Sequence, residues 1–286
     1  MRLSTFAIFI TLTAANAQCA SFSVEVAGTG KPVILIPGLG CSGEVWKETA
    51  AHLNKEGYQT YAVTLAGFGG TKPITSDHFL ATVRDDLAAY IRDNKLDHPV
   101  IIGHSLGGFL ALWLAETNPE LPGKVISVDG LPFLTALMNP AITIEGAQNV
   151  ADATRKRLEA GSGEEFKKMQ TQYVESMISA PENVQREVKV AATADRGAFT
   201  EAMVEMMLTD LRPKLPSIKV PVLVLGAWIA YKDYGATHDS TTQLYAKQFE
   251  NFPAVKLVMN DTAKHFIQLD APEWFYNQVD QFIQAK

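Results

Sequence analysis

Val100 to Leu110 reads VIIGHSLGGFL, and the fold turns on how this stretch is read. An apolar run with β-branched residues (Val100, Ile101, Ile102) passes through Gly103-His104-Ser105-Leu106-Gly107 and continues into Phe109, Leu110, Leu112, Trp113 and Leu114 at helical spacing. The pattern predicts a strand, a sharp turn and a helix, with a serine at the apex. A serine on so tight a turn takes strained dihedrals, and glycines two residues before and after it let the strand and helix backbones approach without a Cβ clash. The hydroxyl is then pushed out at the sheet edge, and the Leu106 N–H points to where an oxyanion would form. A chance GxSxG in a loop would lack these flanks. Both are present, so Ser105 is read as a nucleophile.

Outward from this turn, strand and helix patterns alternate. Phe22 to Val26 alternates apolar and polar and meets the turn Gly28-Thr29-Gly30, which predicts a small hairpin. Pro32 to Ile36 is a buried-strand run that breaks into Pro37-Gly38-Leu39-Gly40 and leads to a helix over Glu44 to Lys55. A glycine turn between strand and helix leaves unpaired backbone N–H groups that can face an anion. Tyr58 to Leu65 is the next strand, followed by the glycine loop Ala66 to Gly70. Asp77 is the expected cap of a helix that gathers Phe79, Leu80, Val83, Leu87, Tyr90 and Ile91 on one face. Lys124 to Val128 is a further strand ending at Asp129-Gly130. Short loops between alternating strands and helices imply an α/β fold, a mostly parallel sheet covered by helices on both faces.

From Leu131 to Pro216 no strand run is visible. Phe166, Met169, Tyr173 and Met177 share one helical face, and Phe199, Met203, Met206 and Leu211 another. The expected organisation is a helical cap at 131–216 inserted into a core of 18–130 and 217–286. Methionines fill cores, and their thioethers also suit an adaptable apolar pocket. Phe133, Met169, Met203 and Met206 are candidate lining, with Phe266 beside the late histidine. After Pro221 the core resumes with a strand at Val222 to Leu225, a helix over Thr241 to Phe249 and a strand at Val255 to Met259. The loop Asn260 to Lys264 delivers His265. A closing helix is expected from Asp270, capped with Glu273 and burying Phe275, Val279, Phe282 and Ile283.

At 286 residues, nearly half apolar and a fifth charged, the chain can bury one large core with or without an accessory domain. Arg2, the apolar run Phe6 to Leu12 and Ala15-Asn16-Ala17 read as a secretory signal peptide over 1–17, cut after Ala17; the run is too short to span a bilayer. Gln18 stands where a lipoprotein signal carries a small residue, so a soluble exported protein, periplasmic or secreted, is expected. The mature chain would carry a net charge of −7, from 24 basic and 31 acidic residues. An acidic chain without a Lys/Arg cluster is a poor partner for nucleic acid or an anionic membrane. Two cysteines, Cys19 and Cys41, make no disulfide framework, although they could pair in an oxidising compartment. No His, Asp or Glu cluster has metal-ligand spacing, so no metal and no cofactor are expected.

These motifs together resemble the capped, lipase- and esterase-like proteins of the α/β-hydrolase fold. The likeness covers essentially the whole mature chain: the PGLG turn, the AGFGG loop, the GHSLGG elbow, the helical insertion and the late histidine followed by Phe266. It implies Ser105 as nucleophile, His265 as base, and an oxyanion hole from the backbone N–H groups of Leu39 and Leu106. The order serine, acid, histidine agrees with that family. A serine hydroxyl is a poor nucleophile until an imidazole takes its proton, and the imidazole needs a carboxylate to fix its tautomer. His265, directly after the last strand, can reach the carboxyl end of the sheet. His104 suits a supporting role on the elbow, while His52, His78, His98 and His238 are expected at the surface.

The chain departs from the family pattern in two places. Pro37 replaces a histidine common before the oxyanion glycine, and the backbone donors survive that change. The family's usual acid position after Gly226 is Ile229, which cannot act. Asp129, closing VISVDG beside the nucleophile's strand, ranks ahead of Asp233 in AWIAYKDYG, and Asp239 reads as a helix cap. Asp129 also has a plain structural reading, as the cap of the turn through Gly130.

The expected function is acyl transfer to water from a carboxylic ester, with lactones, thioesters and amides as related substrates, and with an uncharged apolar acyl group as the small-molecule partner. A serine nucleophile argues against the dehalogenases and epoxide hydrolases of the same fold. C–C bond hydrolysis and perhydrolysis use the same Ser and His, and a non-catalytic ligand binder stays open because of Ile229.

Overall fold

The computed structural model describes residues 16–18, 21–137 and 139–285. One eight-stranded sheet runs through it, from strands β1 (Asn16–Gln18), β2 (Phe22–Gly28), β3 (Lys31–Ile36), β4 (Tyr58–Leu65), β5 (Val100–His104), β6 (Lys124–Val128), β7 (Val222–Ala227) and β8 (Val255–Asn260). The spatial order is β1-β2-β4-β3-β5-β6-β7-β8. β1 and β2 pair antiparallel, as do β2 and β4, and every other pair is parallel. The expected hairpin of β2 on β3 is therefore corrected. β4 lies between them, because both edges of β3 are taken, by β4 and by β5.

Period-two alternation along the parallel strands builds two cores, one on each face of the sheet. Ile34, Ile36, Ile101, Val222 and Val224 face one, and Val33, Leu35, Ile102, Leu223 and Leu225 the other. Each such side chain, fully buried, contributes about 1.5–3 kcal/mol. Helices α1 (Lys47–Lys55), α2 (Phe79–Asp93) and α3 (Leu106–Thr117) belong to the first half of the chain. α2 and α3 cover the first face, while Leu53 of α1 and the preceding Trp46 cover the second. α3 is buried almost all round, from Leu106 to Leu112 and on to Glu116.

Between β6 and β7 the described residues form helices and no strand: α4 (Ile144–Ala160), α5 (Gly163–Met177), α6 (Pro181–Ala191) and α7 (Arg196–Leu208). α8 (His238–Gln248), α9 (Ile267–Asp270) and α10 (Pro272–Gln284) complete the chain.

Three expected helix caps are replaced. α2 starts one residue after His78, and its free N–H groups at Leu80 and Ala81 donate to the Glu205 carboxylate of α7 at 2.7 and 3.0 Å, so Asp77 is not the cap. Thr237, with Ser240, caps α8 in place of Asp239. α10 begins at Pro272, whose fixed φ suits the first helical position. Asp270 instead accepts from the Ser179 and Lys264 N–H groups at 2.9 and 3.0 Å.

His52 is half-buried and pairs with Asp280 at 2.9 Å while stacking on Tyr276. Cys41 is a buried free thiol, pushed up in pKa by burial and by Glu187. Cys19 lies outside the described residues, as does the expected leader apart from Asn16 and Ala17 in β1. Among the described residues no helix is long and apolar enough to cross a membrane, and no three of His, Cys, Asp or Glu gather as a metal ion would need.

Candidate active site

The strand order reverses beside β3: the chain steps outward from β3 to β4, then returns to β5 on the other side. A crevice opens at the carboxyl ends of the strands at such a switch point. Leu39 follows β3 and Ser105 follows β5, so both stand at this crevice.

Ser105 has φ 53° and ψ −116°, in a region that costs a non-glycine residue about 1–3 kcal/mol. Its surroundings hold it there. The Ser105 N–H donates to the Val128 carbonyl at 2.8 Å, and the Phe109 N–H donates to the Ser105 carbonyl at 3.0 Å. The elbow leaves no room for side chains at its glycines. A Cβ on Gly103 would stand 2.0 Å from the Gly107 oxygen, and one on Gly107 would stand 2.2 Å from the Ile36 oxygen. Ser105 is only half-buried while its neighbours from Val100 to Leu110 are all buried, so the turn does present the hydroxyl.

Two N–H groups border the serine. Leu106 is the first residue of α3, where no intrahelical carbonyl is available to its N–H. Leu39 is inside the turn that the Cys41 N–H closes onto the Gly38 carbonyl at 3.1 Å, which leaves the Leu39 N–H unused by that turn.

The carboxylate beside His265 is Asp129. Asp129 Oδ2 lies 2.5 Å from His265 Nδ1, and both side chains are buried. Asp129 Oδ1 accepts from the Ala227 N–H at 2.8 Å and from the Tyr245 hydroxyl at 2.6 Å. With its other oxygen already accepting two protons, the carboxylate acts as acceptor toward His265, so Nδ1 carries the proton and Nε2 offers a lone pair. Among the described residues Nε2 has no hydrogen-bond partner, and His265 and Ser105 line the same cavity. Asp129 itself takes φ 49°, a conformation asparagine and aspartate tolerate best. Burial, then the charge of Asp129, raises the Tyr245 pKa well above the phenol value, so its hydroxyl stays a donor.

Asp233 does not compete for His265. It is exposed on a short 3-10 helix over Ile229–Tyr234. The register explains the choice: β6 lies between β5 and β7, so a carboxylate at its end sits next to the nucleophile.

His104 bonds through Nε2 to the His265 carbonyl at 3.1 Å, and its ring packs 4.4 Å from that of Phe266. Burial, and then the neighbouring His265, push the His104 pKa well below the imidazole range, so it stays neutral.

The cavity above Ser105 measures about 630 Å³. Leu131, Leu158, Phe199, Met206 and Leu244 make its wall largely apolar. A model of the alpha/beta hydrolase fold matches residues 31–272. The chain belongs to the α/β-hydrolase fold family.

Several of its relatives carry hydrolase names. A protein of Rhizobium rhizogenes with the provisional name carbamate hydrolase is 26% identical over 276 residues, 92% of this chain and 97% of that one. The pimeloyl-[acyl-carrier protein] methyl ester esterase of Vibrio atlanticus is 24% identical over 208 residues, 70% of this chain and 77% of its own. An esterase from Exiguobacterium antarcticum superposes with a TM-score of 0.79 at 20% identity, covering 96% of this chain and all of that one, a likeness of fold. The expectation of a hydrolase of this fold therefore holds.

The rest of the expected pocket is met unevenly in this α/β-hydrolase chain. Met169, Met203 and Met206 line the cavity, as does Leu39. Phe133 does not. It is fully buried in a separate cluster with Ala136 and Ala147, under the Arg212 guanidinium at 4.7 Å. Phe266 packs edge-on against His265, its ring 5.5 Å away, and supports the imidazole from behind the cavity. Sequence reasoning missed Tyr245 and Gln170. Nothing in the spacing singles out Tyr245. Gln170 did carry a signal, a polar residue within an apolar helical stripe.

Proposed function

We propose that this chain is a serine hydrolase that cleaves a carboxylic ester through an acyl-enzyme on Ser105. The observation that carries the reading is the Asp129–His265 pair: Asp129 anchors Nδ1 and leaves Nε2 without a partner among the described residues, in a side chain that lines the cavity with Ser105. Substrate binding brings the hydroxyl and imidazole into line, as catalytic hydrogen bonds often tighten only in the complex.

His265 Nε2 takes the hydroxyl proton as Ser105 Oγ bonds to the carbonyl carbon. The carbonyl electrons move to its oxygen, which the Leu39 and Leu106 N–H groups receive. Collapse of this adduct breaks the bond to the alcohol oxygen, and His265 returns the proton to it. A water molecule then attacks the acyl carbon, again giving its proton to His265, and the acid leaves as Ser105 recovers its own. Asp129 holds the imidazole by its Nδ1–H and steadies the imidazolium.

The helices over 131–216 act as a cap in this reading, since α4, α5 and α7 all contribute cavity wall. The apolar wall favours an uncharged acyl group at the serine. Relatives named for methyl ester and carbamate cleavage support acyl transfer as the reaction class. Residues 1–17 serve as an export leader, on the strength of their sequence pattern. The purified chain should hydrolyse p-nitrophenyl butyrate, and Ser105→Ala should lower turnover by roughly three or more orders of magnitude. Equal rates for parent and variant would remove Ser105 from the reaction.

A further inference from the structure

The buried stripe of α5 is Phe166, Gln170 and Val174, spaced one helical turn apart. Phe166 and Val174 face apolar neighbours, as a packed helix requires. Gln170, between them, is 3% exposed and lines the cavity with Ser105, and no hydrogen-bond partner for its amide is found among the described residues. Neither amide atom is among the sealed, unpartnered polar atoms, so the amide end is open to the cavity, where a leucine or methionine would continue the stripe with no polar group to offer. A polar residue that breaks the local rule at a cavity wall marks a functional position.

Its place narrows the function. The Gln170 amide end stands 3.1 Å from the point where a Cβ on Gly40 would lie, so it packs against the turn that presents the Leu39 N–H. Gly40 has φ +74° and no side chain, and both features keep this approach open. Of the other uncharged polar side chains of the wall, Thr154, Tyr231 and Thr241 are partly exposed and Tyr234 is exposed, while Tyr173 is exposed as a residue but has its phenol pKa pushed well up by burial and then by Tyr231, Cys41 and Asp129. Gln170 is therefore a deep polar contact, set beside the carbonyl-binding corner of a largely apolar cavity.

We propose that Gln170 is a specificity-determining residue that hydrogen-bonds a hydroxyl, keto or amide group on the substrate, within about two or three bonds of the scissile carbonyl. The proposal rests on the Ser105-centred reading above and names its substrate class: an ester functionalised near the carbonyl, not a plain hydrocarbon ester. An amide can donate to the group's oxygen or accept from its O–H or N–H, and a methyl in the same place leaves Gln170 unpaired. A site built around such a bond rejects the methyl isostere strongly, whereas an apolar pocket barely separates the two.

The test uses the Ser105→Ala chain, which binds intact esters, and three pairs that differ by hydroxyl against methyl. The pairs are ethyl 3-hydroxybutyrate with ethyl 3-methylbutyrate, ethyl 2-hydroxybutyrate with ethyl 2-methylbutyrate, and 2-hydroxyethyl butyrate with propyl butyrate. The first two place the group on the acyl side and the third on the alcohol side. Calorimetry should find one hydroxyl member binding about tenfold or more tightly than its isostere. Gln170→Met in the same background should bring that ratio close to one, with an unchanged or higher Tm. Isosteres that bind as well in all three pairs would overturn the proposal, as would a ratio that survives Gln170→Met or a variant that loses its fold. Turnover of p-nitrophenyl butyrate by the parent chain reports separately on the Ser105 reading.

Discussion

Tyr245→Phe isolates one bond of the site. The ring is 4% exposed and stays in place, so the variant loses only the hydroxyl that donates to Asp129 Oδ1 at 2.6 Å. A hydrogen bond to a charged group contributes about 1.5–3 kcal/mol. The same oxygen keeps the Ala227 N–H, and Oδ2 keeps His265. A stability loss of about 2 kcal/mol follows, a fall in Tm of roughly 4–8 °C for a chain of this size. Turnover would fall by up to about 30-fold if that whole amount were lost at the imidazolium stage, at about 1.4 kcal/mol per decade. Because the carboxylate is still held on both oxygens, the expected loss in kcat is about tenfold with KM unchanged. The assay is steady-state hydrolysis of p-nitrophenyl butyrate beside a thermal melt. A kcat and Tm both equal to the parent's would show that the bond carries nothing. A rise in KM alone would place the hydroxyl on the substrate instead of on Asp129.

Asp129→Asn should keep the fold and lower kcat by roughly three to four orders of magnitude through the wrong imidazole tautomer, while Asp233→Asn stays near parental activity; the reverse ranking in the same ester assay would refute the pairing. Gly103→Ala should fail to give folded protein, since the new Cβ would stand 2.0 Å from the Gly107 oxygen, and a soluble variant with a parental melt would contradict the elbow geometry. His104, with a pKa pushed below the imidazole range, refuses a proton that the unfolded chain accepts, so stability falls as pH drops from about 6.5 toward the lowered value. The slope of Tm against pH between 7.5 and 5 should be shallower in His104→Gln than in the parent, and equal slopes would count against this.

The elbow was legible because strain, glycine spacing and flanking periodicity all constrain the same few residues. Gly103, Ser105 and Gly107 cannot be rearranged without collision. The place of β2 was not legible, because a seven-residue strand pairs equally well by pattern with β3 or β4, and sheet order is decided by which edges other strands take. The acid shows the same limit. Asp129 and Asp233 both follow strands in the sequence; Asp129 ranks ahead for closing the strand beside the nucleophile's, and the position of β6 between β5 and β7 separates the two. Caps were misread where the partner is distant: Glu205, not the adjacent Asp77, serves the α2 N-terminus.

Helix phase was the other weak point. On α5 the stripe Phe166, Met169, Tyr173, Met177 and the observed Phe166, Gln170, Val174 differ by less than half a turn, and both satisfy helical spacing. Choosing the apolar set hid Gln170, whose burial follows from the cavity and not from its own hydropathy. Phe133 reads with the cap methionines as pocket lining, but Arg212 and the Ala136–Ala147 cluster enclose it instead.

Labelling by a fluorophosphonate tests the central claim most directly, because phosphonylation requires a serine activated by its base and held beside oxyanion donors. The purified chain is treated with the probe, digested and read by mass spectrometry. One adduct is predicted, on Ser105 in the peptide that contains GHSLGG, abolished by Ser105→Ala and strongly slowed by Asp129→Asn. A folded chain that takes up no probe, or takes it up on another residue, would contradict the assignment of Ser105, His265 and Asp129 as one catalytic unit.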